Sequence, residues 1–309
     1  MKKAKNRKAF GSLLLLITAV IWGIAFAFQR AGMEWIEPAT FQAVRLALAS
    51  LTVWIVSFIM GRRKAHSESP PTQSELARQR RETLIGGLCC GVFLAVSNYI
   101  QQLGLVYTTA GKAGFITALY IILVPIFAFL LFRKKTGRQI WLAVLIGVLG
   151  LYLLCMTDNF RLTRGDALVC FCAVLFSGHI LCCNHFAGRG DAVRMSAVQL
   201  MVAAVICAVL AFLTEEPTWD KVVSAAVPIL YCGIVSAGMG YTFQMVGQKY
   251  TDPAVASLLM SLESVFAVLG GALLLHERMS TRELLGCLVM LIAILLVQIP
   301  LPGRKPEQE

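Results

Sequence analysis

Charge is what this sequence has least of. Asp, Glu, Lys and Arg make up 15% of its 309 residues, against about 25% in an ordinary soluble domain. A chain so poor in charge, and 58% hydrophobic, has too little polar surface to meet water on all sides. A bilayer lifts that demand, because lipid becomes the outer solvent. Other absences narrow the function. No GxxxxGK[ST] stretch occurs, so direct use of ATP by this chain is not expected. The ten cysteines form no CxxC pair and no His/Cys cluster of zinc-site spacing, so neither a metal nor a cofactor is expected. Those thiols read as small packing residues; a soft-metal path through Cys170-x-Cys172 and Cys182-Cys183 is the alternative. His66, His179, His185 and His276 are scattered without an acid partner nearby, which counts against a membrane-embedded transferase. The lack of a soluble signalling module counts against a sensor or scaffold. No A-x-A-type cleavage site follows the apolar run from Phe10 to Phe28 before Gln29-Arg30. That run therefore reads as an uncleaved first helix rather than a signal peptide.

What is present is length of apolar chain. Ten segments can be marked, at 10–30, 38–60, 84–106, 111–132, 139–156, 166–186, 194–213, 222–247, 252–275 and 283–300. Only helices satisfy their own backbone at such lengths in lipid, so the fold class is all-α, a membrane protein of ten spans. The one sizeable polar insert, Gly61 to Glu82 with Pro70-Pro71, reads as a flexible linker. Twenty of the 28 Lys and Arg residues fall in the loops of one side and seven in those of the other, with Arg45 inside a span. This asymmetry puts both termini and the 61–82 loop in the cytoplasm of a bacterial-type inner membrane. It also accounts for the net charge of +11 without nucleic acid.

The two halves resemble each other. Gly11, Leu14, Ala19 and Val20 match Gly165, Leu168, Ala173 and Val174 at an offset of 154. Cys90-Gly91, Ala95, Tyr99 and Gln102 match Cys232-Gly233, Ala237, Tyr241 and Gln244 at 142, and Tyr107-Thr108 matches Tyr250-Thr251 at 143. The extra loop in the first half explains the change of offset. The chain divides into repeats at 1–156 and 157–309, each with five spans. Five is odd, so the halves lie in opposite orientations, the inverted repeat of alternating-access carriers.

Several stretches carry a family likeness. They are Trp22-Gly23-Ile24-Ala25-Phe26, Arg45 with Ala49, Tyr107 through Ile116 leading to Pro125, Thr251 through Ser264, and His276-Glu277-Arg278-Met279 with Gly286. In these the chain resembles the EamA-type carriers of the drug/metabolite transporter superfamily, over essentially residues 10–300. The resemblance implies ten helices, both termini inside, and a central cavity lined by spans 1, 3, 4, 6, 8 and 9. It implies a small-molecule cargo without naming it. Ser264 departs from the family's usual Pro and puts a helix break there in question.

Polar residues inside spans are the candidate site, since they must face protein or water. Arg45 is either a carboxylate anchor or gate, or a structural partner of a carbonyl or acid. Glu263, the one carboxylate deep in a span, either binds a coupling proton or joins neighbouring helices by hydrogen bonds; it and Arg45 form a candidate pair. Asn98, Tyr99, Gln101 and Gln102, with Tyr241 and Gln244 in the matching place, either line a path with amide donors and acceptors or bond helix to helix. Trp22 and Tyr120 either stack on a flat cargo or wall the cavity, or serve as packing or interface aromatics. His179, with Ser177, faces the cavity or sits satisfied in the core. Lys112 reads as an outer-loop charge and Glu277-Arg278 as a capping pair. Gly87-x-x-x-Gly91, Gly147, Gly150, Gly238, Gly240 and Gly270-Gly271 permit close helix packing. The expected function is a secondary carrier exporting an amino acid or related metabolite, with the bilayer, the cargo and a coupling proton as partners and a homodimer left open. A membrane-embedded enzyme and a non-transporting scaffold or sensor are the alternatives.

Overall fold

A computed structural model describes residues 2–64, 72–108, 110–133, 136–155, 163–274 and 280–298. These residues form helices and no strands. In chain order the helices are α1 (Lys2–Gly32), α2 (Pro38–Lys64), α3 (Gln73–Tyr107), α4 (Ala110–Ala118), α5 (Tyr120–Phe132), α6 (Arg138–Cys155), α7 (Arg164–Ala187) and α8 (Ala192–Thr214). They continue with α9 (Trp219–Ser224), α10 (Ala226–Leu230), a π-helical segment (Tyr231–Gly240), α11 (Tyr241–Gln248), α12 (Pro253–Met260), α13 (Glu263–Leu274) and α14 (Thr281–Gln298). Seven helical stretches among the described residues are long and apolar enough to cross a membrane, and Arg138–Leu153 and Pro253–Leu269 are shorter apolar helices.

Burial is distributed as lipid requires. Phe58, Leu131, Leu145 and Val205 stand exposed, while Gln42, Asn98, Gln102 and Gln199 are buried. Apolar side chains outside and amides inside describe a multi-pass membrane protein.

Local chemistry sets the helix ends. Thr72 and Glu75 form a capping box at α3, with Glu75 N donating to Thr72 Oγ1 at 3.3 Å and Thr72 N to Glu75 Oε2 at 2.9 Å. Thr163 and Asp166 do the same at α7, at 3.2 and 2.7 Å. Pro253 opens α12 behind Asp252, whose Oδ1 accepts from Ala254 N at 3.0 Å.

Two apolar runs expected as single spans run on as helix but with an interruption in their hydrogen-bond ladder, the backbone staying right-handed helical at Leu119 and Ser261. The run at 111–132 is divided at Leu119, and that at 252–275 at Ser261 and Leu262. At both places amides reach back only three residues: Leu119 N to Ile116 O at 3.2 Å, Ile122 N to Leu119 O at 3.0 Å, and Ser264 N to Ser261 O at 3.2 Å. Pro125 has no N–H for the Ile121 carbonyl, which loosens the start of α5. In the second break Ser257 and Ser261 hydroxyls take the carbonyls of Ala254 and Leu258 at 2.9 and 2.8 Å, competing with the backbone. A break therefore exists without proline at Ser264. The expected flexible insert is also smaller than Gly61 to Glu82: α2 runs on to Lys64 and α3 begins at Gln73, and 65–71 lies outside the described residues.

The long helices pack as α2 on α8 and the π-helical segment, α3 on α7 and α8, α6 on α14, and α1 on α13 and α11. Small residues set the close approaches. A Cβ at Gly87 would stand 2.5 Å from Val198, and one at Gly91 2.7 Å from Val202. A Cβ at Gly150 would meet Met290 at 2.8 Å.

Candidate functional site

Inside this packing lies a partly open cavity. Its wall comes from α1 (Trp22, Phe26, Gln29), α2 (Arg45), α3 (Asn98, Gln101), the α4–α5 break (Thr117, Tyr120), α7 (Phe176, Ile180), the π-helical segment (Ser236), α11 (Tyr241, Gln244) and α13 (Glu263).

Arg45 is 2% exposed and is held by neutral groups. Its Nε donates to Gln42 Oε1 at 2.7 Å and its Nη2 to Asn98 Oδ1 at 2.7 Å. Gln42 sits three residues earlier on the same helix and is fixed in turn: its Nε2 donates to Asn98 O at 3.1 Å and to Gln102 Oε1 at 3.2 Å. Tyr241 donates its hydroxyl to Asn98 Oδ1 at 3.0 Å. Among the described residues this guanidinium has no carboxylate partner, so its charge is spread over amides that cannot neutralise it.

Glu263 is buried elsewhere in the wall. It is the first residue of α13, just after the interruption at Ser261-Leu262. Tyr120, the first residue of α5, donates its hydroxyl to Glu263 Oε1 at 3.1 Å. Each break thus delivers one polar side chain to the cavity, and the two meet. Arg45 and Glu263 do not form the expected pair, because each is engaged by its own neutral partners.

The aromatic wall is fixed by backbone contacts. Trp22 Nε1 donates to Ser236 O at 3.0 Å, and its ring centroid lies 5.0 Å from that of Tyr241 at 56°. Gly240 leaves room for the Trp22 indole, and a Cβ at Gly23 would strike Glu263 O at 2.6 Å. The Trp22-Gly23-x-x-Phe26 stretch therefore supplies two wall residues and one close approach. Two amide oxygens in the wall, Gln29 Oε1 and Gln244 Oε1, have no hydrogen-bond partner among the described residues. Among the described residues no cluster of three or more His, Cys, Asp or Glu is placed to hold a metal ion.

The model of the EamA-like transporter family matches residues 9–156 and again 163–299. The chain belongs to the EamA-like transporter family. Its relatives include an uncharacterized transporter of Archaeoglobus fulgidus, 25% identical over 293 residues, covering 95% of this chain and 87% of that one. The uncharacterized transporter YoaV of Bacillus subtilis is 21% identical over 296 residues, covering 94% and 97%. One solved crystal structure shares the fold with a TM-score of 0.74 at 16% identity, over 94% of this chain and 98% of that one.

Of the ten candidate residues, eight lie on the cavity wall: Trp22, Arg45, Asn98, Gln101, Tyr120, Tyr241, Gln244 and Glu263. Gln102 and His179 do not. Gln102 is turned into the helix contacts, donating to Gln29 O at 3.2 Å and accepting from Gln42. His179 is buried behind the wall, with its Nε2 3.0 Å from Gln199 Oε1 and 3.4 Å from Cys183 Sγ, and with its ring edge-on to Tyr241. Both are polar residues satisfied by neighbours rather than by the cavity. Ser177 spends its hydroxyl on Ala173 O at 2.7 Å. The side chain of Lys112, and Glu277-Arg278 altogether, lie outside the described residues. The sequence reading missed Phe26, Gln29, Thr117, Phe176, Ile180 and Ser236 as wall residues and Gln42 as the partner of Arg45. Gln29 and Gln42 had a usable signal, as amides within or beside apolar spans. The others are ordinary span residues.

Proposed function

We propose that the chain is a secondary carrier that exports an amino acid or a related small metabolite by alternating access. The observation that carries this is a partly open cavity holding an uncompensated guanidinium, Arg45, apart from a carboxyl group, Glu263, with Gln29 Oε1 and Gln244 Oε1, which lack a partner among the described residues, also in its wall. A zwitterion complements that set: its carboxylate meets Arg45, and its ammonium meets Glu263 and the amide oxygens. Trp22, Tyr120 and Tyr241 then wall its side chain.

The mechanism takes the chain as two five-helix units in opposite orientations, 1–156 and 157–309. The twofold family match supports this division. So does the paired packing, in which α1 meets α11 and α13 as α7 meets α3 and α5. Tyr120 and Glu263 are also 143 positions apart, the offset that relates the halves around Tyr107 and Tyr250. Rocking of the units opens the cavity to one compartment at a time. The basic-loop asymmetry supports an inner-membrane location with both termini in the cytoplasm. Glu263 is the group that takes up and releases a coupling proton.

The test is counterflow in vesicles holding the purified chain, with amino acids, sugars and nucleosides in parallel. Exchange of a zwitterionic amino acid that is lost in Arg45→Ala is expected. Exchange of neutral sugars or nucleosides alone, or of nothing in the panel, overturns the proposal.

A further inference from the structure

Two helix crossings flank the cavity, one toward each membrane face, and they use equivalent positions. On the side away from the basic loops, α3 crosses α7 at Gly104 and Gly165, where a Cβ on Gly165 would lie 2.7 Å from Gly104 O. On the basic-loop side, α11 crosses α1 at Gly247 and Gly11, where a Cβ on Gly11 would lie 2.8 Å from Gly247 O. Gly104 and Gly247 are 143 apart and Gly11 and Gly165 are 154 apart, the offsets that relate the halves.

The crossings differ in how their polar groups are satisfied. Beside the α3–α7 crossing Gln102 turns toward α2 and α1, bonded to Gln42 and to the Gln29 carbonyl. Leu105 is apolar, and its carbonyl accepts from Arg30 Nη1 at 2.7 Å. Thr108 donates to Asp166 Oδ1 at 2.7 Å. The matching positions on the other side are Gln244, Gln248 and Thr251. Each has a buried oxygen with no partner among the described residues: Gln244 Oε1, Gln248 Oε1 and Thr251 Oγ1. Gln248 spends only its Nε2, on Ile180 O at 3.1 Å, and Asn184 Nδ2 bonds the backbone carbonyls of Gln248 and Thr251 at 3.2 and 3.1 Å. Gln244 and Gln248, four apart, share a face of α11, with Gln244 in the cavity wall, and Thr251 follows in the turn before α12. On the opposite side the unpartnered oxygens among the described residues are Gln29 Oε1, in the cavity wall as Gln244 Oε1 is on this side, and Glu37 Oε2, whose other oxygen holds Lys221. Beyond the wall the difference lies at the crossings themselves: Gln248 and Thr251 adjoin Gly247 at the α1–α11 crossing, and the α3–α7 crossing has no such oxygen among the described residues.

Buried acceptors without donors are costly unless water or a ligand supplies the hydrogen. We infer that the seam between α1, α7 and α11 is a hydrated track that passes hydrogen-bond donors, water and the ammonium end of the cargo, between the basic-loop side and the cavity, whereas the α3–α7 seam is a dry plug. This deepens the carrier reading and rests on it for the cargo: the cavity fills from the cytoplasm.

The test compares equivalent positions. Gln248→Cys and Leu105→Cys are treated in sealed vesicles of both orientations with a membrane-impermeant maleimide, and each site is read by mass spectrometry against the native cysteines. Labelling of Gln248→Cys from the cytoplasmic face is expected to be at least tenfold faster than that of Leu105→Cys from the outer face; equal or reversed rates overturn the inference. Hydroxyl-radical footprinting of the unsubstituted chain supplies a second reading, with more oxidation expected across 244–251 than across 102–108, and equal oxidation counting against the track. Neither measurement needs cargo. A hydrated seam without counterflow would therefore remove the transport reading alone, and counterflow with a dry seam would remove only this one.

Discussion

Asn98 offers the sharpest test of how the buried guanidinium is held. Its Oδ1 accepts from Arg45 Nη2 at 2.7 Å and from Tyr241 OH at 3.0 Å. Asn98→Leu keeps the size and removes both acceptances. A hydrogen bond to a charged group contributes about 1.5–3 kcal/mol, and a neutral interhelical bond in a bilayer about 0.6 kcal/mol. The loss should therefore be roughly 2–4 kcal/mol, read as the unfolding free energy in mixed detergent and SDS micelles. Arg45 would keep only Gln42 as a side-chain acceptor among these partners, so cargo affinity should fall as well.

Asn98→Asp separates holding from binding. It preserves the shape and gives Arg45 the counter-charge it lacks. Stability should stay within about 1 kcal/mol of the parent or rise, while a carboxylate cargo, now competing with an internal one, should bind at least about tenfold more weakly, or about 1.4 kcal/mol. An Asn98→Leu protein within about 0.5 kcal/mol of the parent, or an Asn98→Asp protein that binds cargo undiminished, would refute the account of Arg45.

Four further outcomes are expected. Glu263→Gln keeps an acceptor for Tyr120 and removes the proton carrier, so transport driven by a pH gradient should vanish while exchange at equal pH persists; gradient dependence that survives takes Glu263 out of the coupling. Glu215 accepts from Ala39 N, Thr40 N and Thr40 Oγ1 at 2.8, 2.7 and 2.7 Å, so Glu215→Ala uncaps α2 and should cost about 1–2 kcal/mol by the same unfolding assay. Ser264→Pro removes the bonds to Ser261 O and Gly114 O, both 3.2 Å, but falls in the first turn of α13, where proline is tolerated. Its cost should stay below the ~3 kcal/mol of a helix-interior proline, and Val268→Pro serves as the interior control. Gly23→Val would bring a Cβ within 2.5 Å of Phe266 Cβ and 2.6 Å of Glu263 O. It should destabilise by about 1–3 kcal/mol and lower exchange by displacing Glu263.

The helical, membrane-spanning character was legible because twenty apolar residues in a row have few other uses in a folded chain. The ends and breaks were less so. Hydropathy continues unchanged through Leu119 and through Ser261-Leu262, so a window of spanning length cannot see either interruption. Pro125 stands six residues after the first break. At the second, the only local sign is a pair of serines, Ser257 and Ser261, whose hydroxyls bond carbonyls three residues back. The insert between the second and third spans was oversized for a different reason. Its polarity suggested a linker, yet Thr72-x-x-Glu75 is a capping box that starts a helix well outside the apolar run.

For the site, rarity carried most of the information. An ionised or amide side chain within a span must find protein or water, so Arg45, Asn98, Gln244 and Glu263 were drawn inward by necessity. That necessity does not say what satisfies them. Gln102 and His179 obey the same rule and are satisfied by Gln29, Gln42 and Gln199 instead of the cavity. On the proposed two-unit arrangement Tyr120 and Glu263 correspond through the offset of 143 that also joins Tyr107 to Tyr250; their 3.1 Å contact was not legible, because a repeat states which positions correspond and not which ones touch. Correspondence and contact coincide only near the axis that relates two units. On the proposed arrangement the Tyr120–Glu263 contact therefore marks that axis, and a motion that tilts one half against the other acts on this hydrogen bond whichever side opens.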